Sequence, residues 1–270
     1  MCQFYTIPLR PIYTSKADLF NLELIRIMFN LKFKRIMKTK VYNLIVLDES
    51  GSMSGVTEQT ILGCNETIEA IRASQAQFSD SQEHFVSIYA FQSDNERHSR
   101  YIIKNAPVTN VAPINGGQYE PWGCTPLYDA VGATLADLKA LAGNDPNAVG
   151  SVTIITDGYE NSSTHYTLEK VTRMIDALKE KGWNFNFIGA NIDAHSVSIN
   201  FHIENHLQFE QSKKGTRDMF RREGRAKMRY NQRLHDVMHC MAPMASEEER
   251  NRAIREAEAN YYKEDELDNI

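Results

Sequence analysis

The sequence predicts an α/β protein with a doubly wound, mostly parallel central sheet, one antiparallel edge strand and helices on both faces, a Rossmann-like arrangement. Short, β-branched, nearly continuous apolar runs alternate with segments of helical period. Two of those runs, Val41–Leu47 and Gly150–Thr156, are each followed at once by an acid, Asp48 and Asp157. The turn-rich Ser93-Asp94-Asn95-Glu96 is too short for a crossover helix, so it joins its flanking strands as a hairpin. Strands alternating with helices of this length mean right-handed βαβ units and ligands at the carboxyl ends of the strands.

The first strand, Val41–Leu47, reads as buried on both faces. Ile61, Cys64, Ile68, Ile71 and Phe78 then recur at helical spacing and mark one face of a helix of about five turns. Phe85–Phe91 is the second strand, and Tyr101-Ile102-Ile103 returns beside it as the antiparallel edge. Thr125-Pro126 is expected to open the next helix, with threonine as N-cap and Leu127, Val131, Leu135, Leu138 and Leu141 as its buried stripe. After the central strand Gly150–Thr156, the positions Leu168, Val171, Ile175 and Leu178 mark another helix. Trp183–Ala190 is a strand, Ala194–Phe201 a short helix and His206–Phe209 the last strand.

Composition bounds the function. The 270 residues carry 30 Lys+Arg against 35 Asp+Glu, a formal net charge of −5, which excludes a broadly basic nucleic-acid binder. With 42% hydrophobic and 24% charged residues the chain can bury a core and is neither disordered nor fibrous. Cys2, Cys64, Cys124 and Cys240 show no CxxC spacing, so no zinc knuckle or disulfide framework is expected, and a reducing, cytoplasmic location is. The apolar stretch Leu19–Phe33 is broken by Glu23, Arg26 and Lys32, so no signal peptide, membrane span or membrane partner is expected. The sequons at Asn65 and Asn161 carry no weight in such a chain.

The chain divides into residues 1–37, an N-terminal extension; 38–210, the α/β domain; and 211–270, a charged helical tail. Met37-Lys38-Thr39-Lys40 leads straight into the first strand, which suggests Met37 as the natural start. From Lys213 to Arg233 the tail is basic, with Tyr230, Leu234, Val237 and Met241 at helical spacing. Ser246-Glu247-Glu248-Glu249 then opens a second helix with a capping box, and the end is acidic. An intramolecular antiparallel pair or a solvated appendage accounts for this most simply. The sharper alternative is binding of an acidic partner or RNA. Nucleic acid is not the expected partner, because only Phe220 and Tyr230 interleave the basic run.

Three oxygen-rich segments fall at strand ends or a helix start: Asp48-Glu49-Ser50-Gly51-Ser52-Met53, Gly123-Cys124-Thr125 and Thr156-Asp157-Gly158. Asp48, Ser50 and Ser52 alternate, so in an extended loop they project the same way. Two carboxylates and three hydroxyls with no His or thiolate make a hard, oxygen-only site that suits Mg²⁺, with Mn²⁺ as the alternative, and disfavours zinc or copper. The low ligand charge leaves the ion electrophilic enough to accept an external carboxylate.

These segments resemble the metal-ion-dependent adhesion site of von Willebrand factor A domains, an Asp-x-Ser-x-Ser motif followed by a Thr and an Asp on two later loops. Asp48, Ser50, Ser52, Thr125 and Asp157 match in order and on the right elements, and the resemblance runs from Lys38 to Phe209. It implies a metal-dependent, non-catalytic binding module that captures an acidic residue of a partner protein. In that family the hydroxyls hold the ion directly or through water, and the aspartates act largely through water. The segments Leu-Asp-Glu-Ser-Gly-Ser-Met and Cys-Thr-Pro-Leu-Tyr-Asp-Ala look like those of bacterial cytosolic members, which work as adaptors beside AAA+ ATPases or in stress and phage-associated systems.

Glu49, Tyr119, Glu120, Trp122, Tyr159, Glu160 and Asn161 lie on the loops expected at the rim and are candidates for partner contact. His165 reads as a solvated loop histidine and Tyr128 as packing. The rival function is a Mg²⁺-dependent phosphohydrolase built on an acid at the end of the first strand. That chemistry needs a second acid two residues on, where this chain has Ser50, and Gly51-Ser52-Met53-Ser54-Gly55 puts Met53 where a nucleophile elbow needs serine.

Overall fold

The computed structural model describes residues 38–93, 98–241, 246–259 and 261–262. The expectations placed on residues 1–37, on the 94–97 turn and on the acidic end lie outside them. The described residues form one compact unit. In chain order its elements are β1 (Thr39–Asp48), α1 (Thr57–Gln77), β2 (Gln82–Ser93), β3 (His98–Pro107), α2 (Leu127–Ala142) and β4 (Ala148–Thr156). α3 (Leu168–Lys179), β5 (Asn184–Ala190), α4 (Ala194–Asn200), β6 (Asn205–Phe209), α5 (Lys213–His235) and α6 (Glu247–Glu258) follow. The sheet order is β3-β2-β1-β4-β5-β6, parallel throughout except for the antiparallel β2–β3 pair.

Strand β1 explains the layering. Val41, Ile45 and Leu47 point to one face, where Ile68 and Ile71 of α1 and Met219, Phe220 and Leu234 of α5 cover them. Leu44 and Val46 point to the other, against Leu127, Val131 and Leu135 of α2 and Val171 and Ile175 of α3. Alternation sends successive side chains to opposite faces, so a strand covered on both must be apolar throughout. Helices α1 and α5 touch closely at Gly63, where a Cβ would stand 2.0 Å from the Phe220 ring. The chain runs outward from β1 through β2 to β3, then returns to β4 on β1's other side. That reversal between β1 and β4 opens a crevice at their carboxyl ends.

Three local expectations are corrected. Leu141 is not on the buried stripe of α2 but is 48% exposed, because Ala142, four residues after Leu138, takes the inward position and Leu141 is turned away from it. Helix α2 starts at Leu127 with Pro126 at the cap, so the Thr125 hydroxyl is not an N-cap. The edge strand β3 is longer than Tyr101-Ile102-Ile103; it is only half-buried and its pairing with β2 shifts register, which hides it from a periodicity reading.

The described residues after 211 are not a solvated appendage. Helix α5 lies on the sheet face beside α1, and inside that layer Glu223 and Lys227 are buried 3.5 Å apart. Glu223 accepts hydrogen bonds from Thr153 (2.9 Å), Tyr261 (3.1 Å) and Tyr262 (2.7 Å), while Lys227 donates to Ser151 (3.0 Å). Burial pulls the Lys227 ammonium below its ordinary value, and Glu223 opposes that pull. The capping box of α6 forms as read, with Glu249 N–H donating to Ser246 Oγ at 3.2 Å and Ser246 N–H to Glu249 Oε2 at 2.7 Å. The Arg233 guanidinium reaches the Ala257 carbonyl at 3.3 Å and so ties α5 to α6.

Beside this network His84 is buried, with Nε2 2.9 Å from Gln82 Oε1 and Nδ1 3.4 Å from Asn43 Nδ2. Burial, aided by the Lys227 charge, lowers its pKa to about 3. The folded chain therefore keeps His84 neutral at pH values where the unfolded chain protonates it. Stability should fall as pH drops below the unfolded value of about 6.5, at up to ~1.4 kcal/mol per pH unit until the folded value is reached. Urea denaturation at stepwise pH checks this: the slope should flatten in His84→Gln, and an unchanged slope would assign it to other groups.

Candidate metal centre

The carboxyl ends of β1 and β4 bring the oxygen-rich segments together. Asp48 closes β1, and its Oδ1 accepts Ser50 N–H at 2.7 Å while its Oδ2 accepts the Thr156 hydroxyl at 2.6 Å. Ser50 Oγ and Ser52 Oγ are 3.0 Å apart, and Ser52 Oγ donates to Asp157 Oδ1 at 2.6 Å. Four of the five motif side chains thus form one hydrogen-bonded cluster across the crevice.

Thr125 joins them through its loop. Its N–H donates to Asn161 Oδ1 (2.8 Å), and its carbonyl accepts from Asn161 N–H (3.2 Å) and from Leu127 N–H (3.0 Å). Gly158 packs against its side chain so closely that a Cβ there would stand 3.2 Å from Thr125 Oγ1. Gly123, at φ 71°, turns the loop so that its carbonyl accepts Gly51 N–H at 3.1 Å. Trp122 N–H donates to the Glu49 carbonyl at 2.8 Å. Backbone bonds therefore tie the first segment to the second and the second to the loop after Asp157, while the Ser50 and Ser52 hydroxyls bond within the cluster.

The electrostatics favour a cation. Burial pushes the Asp48 carboxyl up to about 6, with the charge of nearby Asp157 adding to the rise. Burial likewise raises Asp157. Among the described residues neither carboxylate has an ion-pair partner. Two buried acids without a counter-charge are costly unless a cation neutralises them, and hydroxyl oxygens in the same cluster suit a hard divalent ion. The residues present fit such an ion. Only two of the donors are carboxylates, and among the described residues no group of three or more His, Cys, Asp or Glu forms a metal cluster; the hydroxyls must complete this one.

The rim differs from the expectation at several positions. Glu49 is not a rim residue: it is fully buried, paired with Arg100 at 2.6 Å and 3.0 Å, and accepts from Gln92 Nε2 (3.0 Å) and Glu120 N–H (2.6 Å). Tyr119 is also buried, because its hydroxyl donates to the Asp48 carbonyl at 2.7 Å. Glu160 turns inward to accept Tyr128 N–H (2.8 Å) and Ser163 N–H (2.6 Å), which tethers its loop to the first turn of α2. Asn161, though exposed, spends its side-chain oxygen on Thr125. Trp122 (65% exposed), Tyr159 (57% exposed) and Glu120 remain at the surface. His165 is exposed beside Asp129, and Tyr128 packs edge-on against Phe201, both as expected.

Two functional contacts escaped the sequence. Arg100, on β3, neutralises Glu49. Gln211, just past β6, donates through Nε2 to the Ser52 carbonyl at 2.8 Å and to Asp157 Oδ2, and Asn191 holds its amide oxygen. The usable signal for Gln211 was its place after a strand's carboxyl end, where α/β sheets gather their ligand groups.

No protein-family profile matches the chain, and no curated protein matches it. Among solved structures, the pilus adhesin SpaC of Lactobacillus rhamnosus GG superposes with a TM-score of 0.51 at 13% identity, over 72% of this chain and 31% of the adhesin. That likeness shows the fold. It is the Rossmann-like arrangement described above, and this chain spans about a third of the adhesin's length. Manganese-loaded TRAP of Plasmodium vivax matches at 16% identity over 64% of this chain and 69% of TRAP, with a TM-score of 0.44. Proximal thread matrix protein 1 of the mussel byssus, in a form with a zinc-occupied MIDAS motif, matches at 12% identity over 68% and 47%, with a TM-score of 0.45. Among the described residues no helix is long and apolar enough to cross a membrane.

Proposed function

We propose that this chain is a divalent-metal-dependent protein-binding module that takes Mg²⁺, or Mn²⁺, and uses it to capture an acidic residue of a partner protein. The observation that carries this is the pair Asp48 and Asp157, buried without a counter-charge among the described residues and hydrogen-bonded into a cluster with Ser50 and Ser52. Asp48, Ser50, Ser52, Thr125 and Asp157 would hold the ion. When bound, the ion supplies a positive coordination position for an incoming carboxylate. Asp48 is kept in place by Ser50 N–H and Thr156, and Tyr119 fixes the backbone carbonyl behind it. Trp122, Glu120 and Tyr159 are the surface a partner would meet.

The reading is non-catalytic. What supports this is that Ser50 stands where a phosphohydrolase needs its second acid, while Asp48 accepts the Ser50 N–H and the Thr156 hydroxyl within the cluster. A bacterial cytoplasmic adaptor beside an AAA+ ATPase system is the setting we propose, on the motif resemblance alone. Isothermal titration of the full chain with Mg²⁺ should give one binding event, lost in Ser50→Ala/Ser52→Ala while circular dichroism is unchanged. Affinity capture with Mg²⁺ should retain a partner that EDTA releases. Retention in EDTA and in the double variant would defeat the metal-mediated mechanism.

A further inference from the structure

We propose a second metal site, for a transition-metal ion of the Zn²⁺ class, on the surface formed by α3, α4 and β6. A cavity of about 530 Å³ opens there, lined by Asp176, Lys179, His195, His202, Glu204 and His206. Within it His195 Nδ1 and His206 Nε2 face each other at 3.2 Å. Two nitrogens bound to one tetrahedral zinc at the usual Zn–N length stand about 3.3 Å apart, so the imidazoles already span one edge of a coordination tetrahedron.

The protonation pattern favours the same use. His206 Nδ1 is 3.0 Å from the Glu204 carbonyl, which can only accept; the ring proton is therefore on Nδ1 and the lone pair on Nε2 points at His195. A backbone carbonyl holding the distal ring nitrogen is the usual outer-shell support of a metal-binding histidine. With Nε2 of His206 unprotonated, the contact is closed by the proton on His195 Nδ1. An ion takes both facing lone pairs once that proton leaves His195 Nδ1, for the other ring nitrogen or for solvent.

The surroundings are prepared too. His202 ends α4 in a Schellman turn: Ile203 N–H bonds the Ser198 carbonyl at 2.8 Å, His202 N–H bonds Ile199 at 2.9 Å, and His202 takes φ 56°, where glycine is usual. Its Nδ1 rests 2.9 Å from Asp176. Lys179, the cation of the cavity, is drawn towards Glu204 at 3.6 Å and donates to the His202 carbonyl at 3.0 Å. The protein supplies two nitrogen donors, and water completes the shell. Nitrogen donors separate this site chemically from the oxygen-only centre at Asp48 and Asp157.

The test is titration of the full chain with Zn²⁺ while excess Mg²⁺ is present to occupy the oxygen site. One Zn²⁺ event is expected, weakened at least about tenfold in His195→Ala and in His206→Ala, a change equivalent to ~1.4 kcal/mol, and unaltered in His165→Ala, which removes an exposed histidine elsewhere. Both ligand histidines lie at the surface, and unchanged thermal midpoints without zinc will confirm folding. Cu²⁺ bound under the same conditions should show coupling to two imidazole nitrogens by electron paramagnetic resonance, and to one in either variant. No Zn²⁺ event, or one that His206→Ala leaves intact, overturns the proposal.

Discussion

Replacing Lys227 by methionine should cost about 3–5 kcal/mol of folding stability, more than most single changes. Lys227 and Glu223 are buried between α5 and the sheet, and Glu223 collects hydrogen bonds from Thr153, Tyr261 and Tyr262 besides the lysine. Methionine fills the volume but leaves the carboxylate without its cation, and a lone buried charge is far costlier than a pair. The double variant Glu223→Gln/Lys227→Met should recover most of the loss, because no charge is then left buried, and the amide oxygen accepts one tyrosine hydroxyl while its NH2 donates to the oxygen of the other. Urea denaturation of the single and double variants gives the coupling directly. A loss below ~1 kcal/mol in Lys227→Met would mean that the carboxylate takes up a proton, or reaches water, at little cost.

The second large effect is expected at Glu49. If it were a partner contact, Glu49→Ala would weaken partner capture and leave the metal site and stability untouched. Its position predicts the opposite. One carboxylate joins Arg100 of β3, Gln92 of β2 and the backbone of Glu120, so it ties the metal-centre loops to the far edge of the sheet. Glu49→Ala should lower the thermal midpoint and weaken Mg²⁺ binding by about 10- to 100-fold, the range for loss of an outer-shell support. Arg100→Ala should do the same, since it strands Glu49 as a buried charge. Calorimetry of both variants decides: normal Mg²⁺ affinity and stability with weakened capture would return Glu49 to the rim.

The strands were legible because burial on both faces leaves a mark in every residue, as in Val41–Leu47. The five motif oxygens were legible because they sit where strands end and because their spacing is local. Glu49 and Tyr119 were misplaced for a reason of the opposite kind. A loop glutamate is ordinarily solvated, and here Arg100, 51 residues away, pairs its charge while Gln92 and the Glu120 N–H share its oxygens. Charge likewise left an antiparallel helix pair and a solvated appendage both open after residue 211, whereas α5 lies on the sheet and hides one of its lysines against a glutamate four residues earlier. The Glu49–Arg100 pair leaves no local period to read, and an i,i+4 pair such as Glu223–Lys227 looks the same in sequence whether it is solvated or buried.

The metal centre is drawn from parts of the chain that are far apart: Ser52 meets Asp157 across 105 residues, and Asp48 meets Thr156 across 108. Closing so long a loop carries an entropic cost that only the completed sheet repays. The first aspartate and its serines can emerge and pair locally, yet they lack the second carboxylate until β4 has docked beside β1. Ion capture should therefore report on folding as an all-or-none event, and a chain still being made would have no competent site until its central strand is in place.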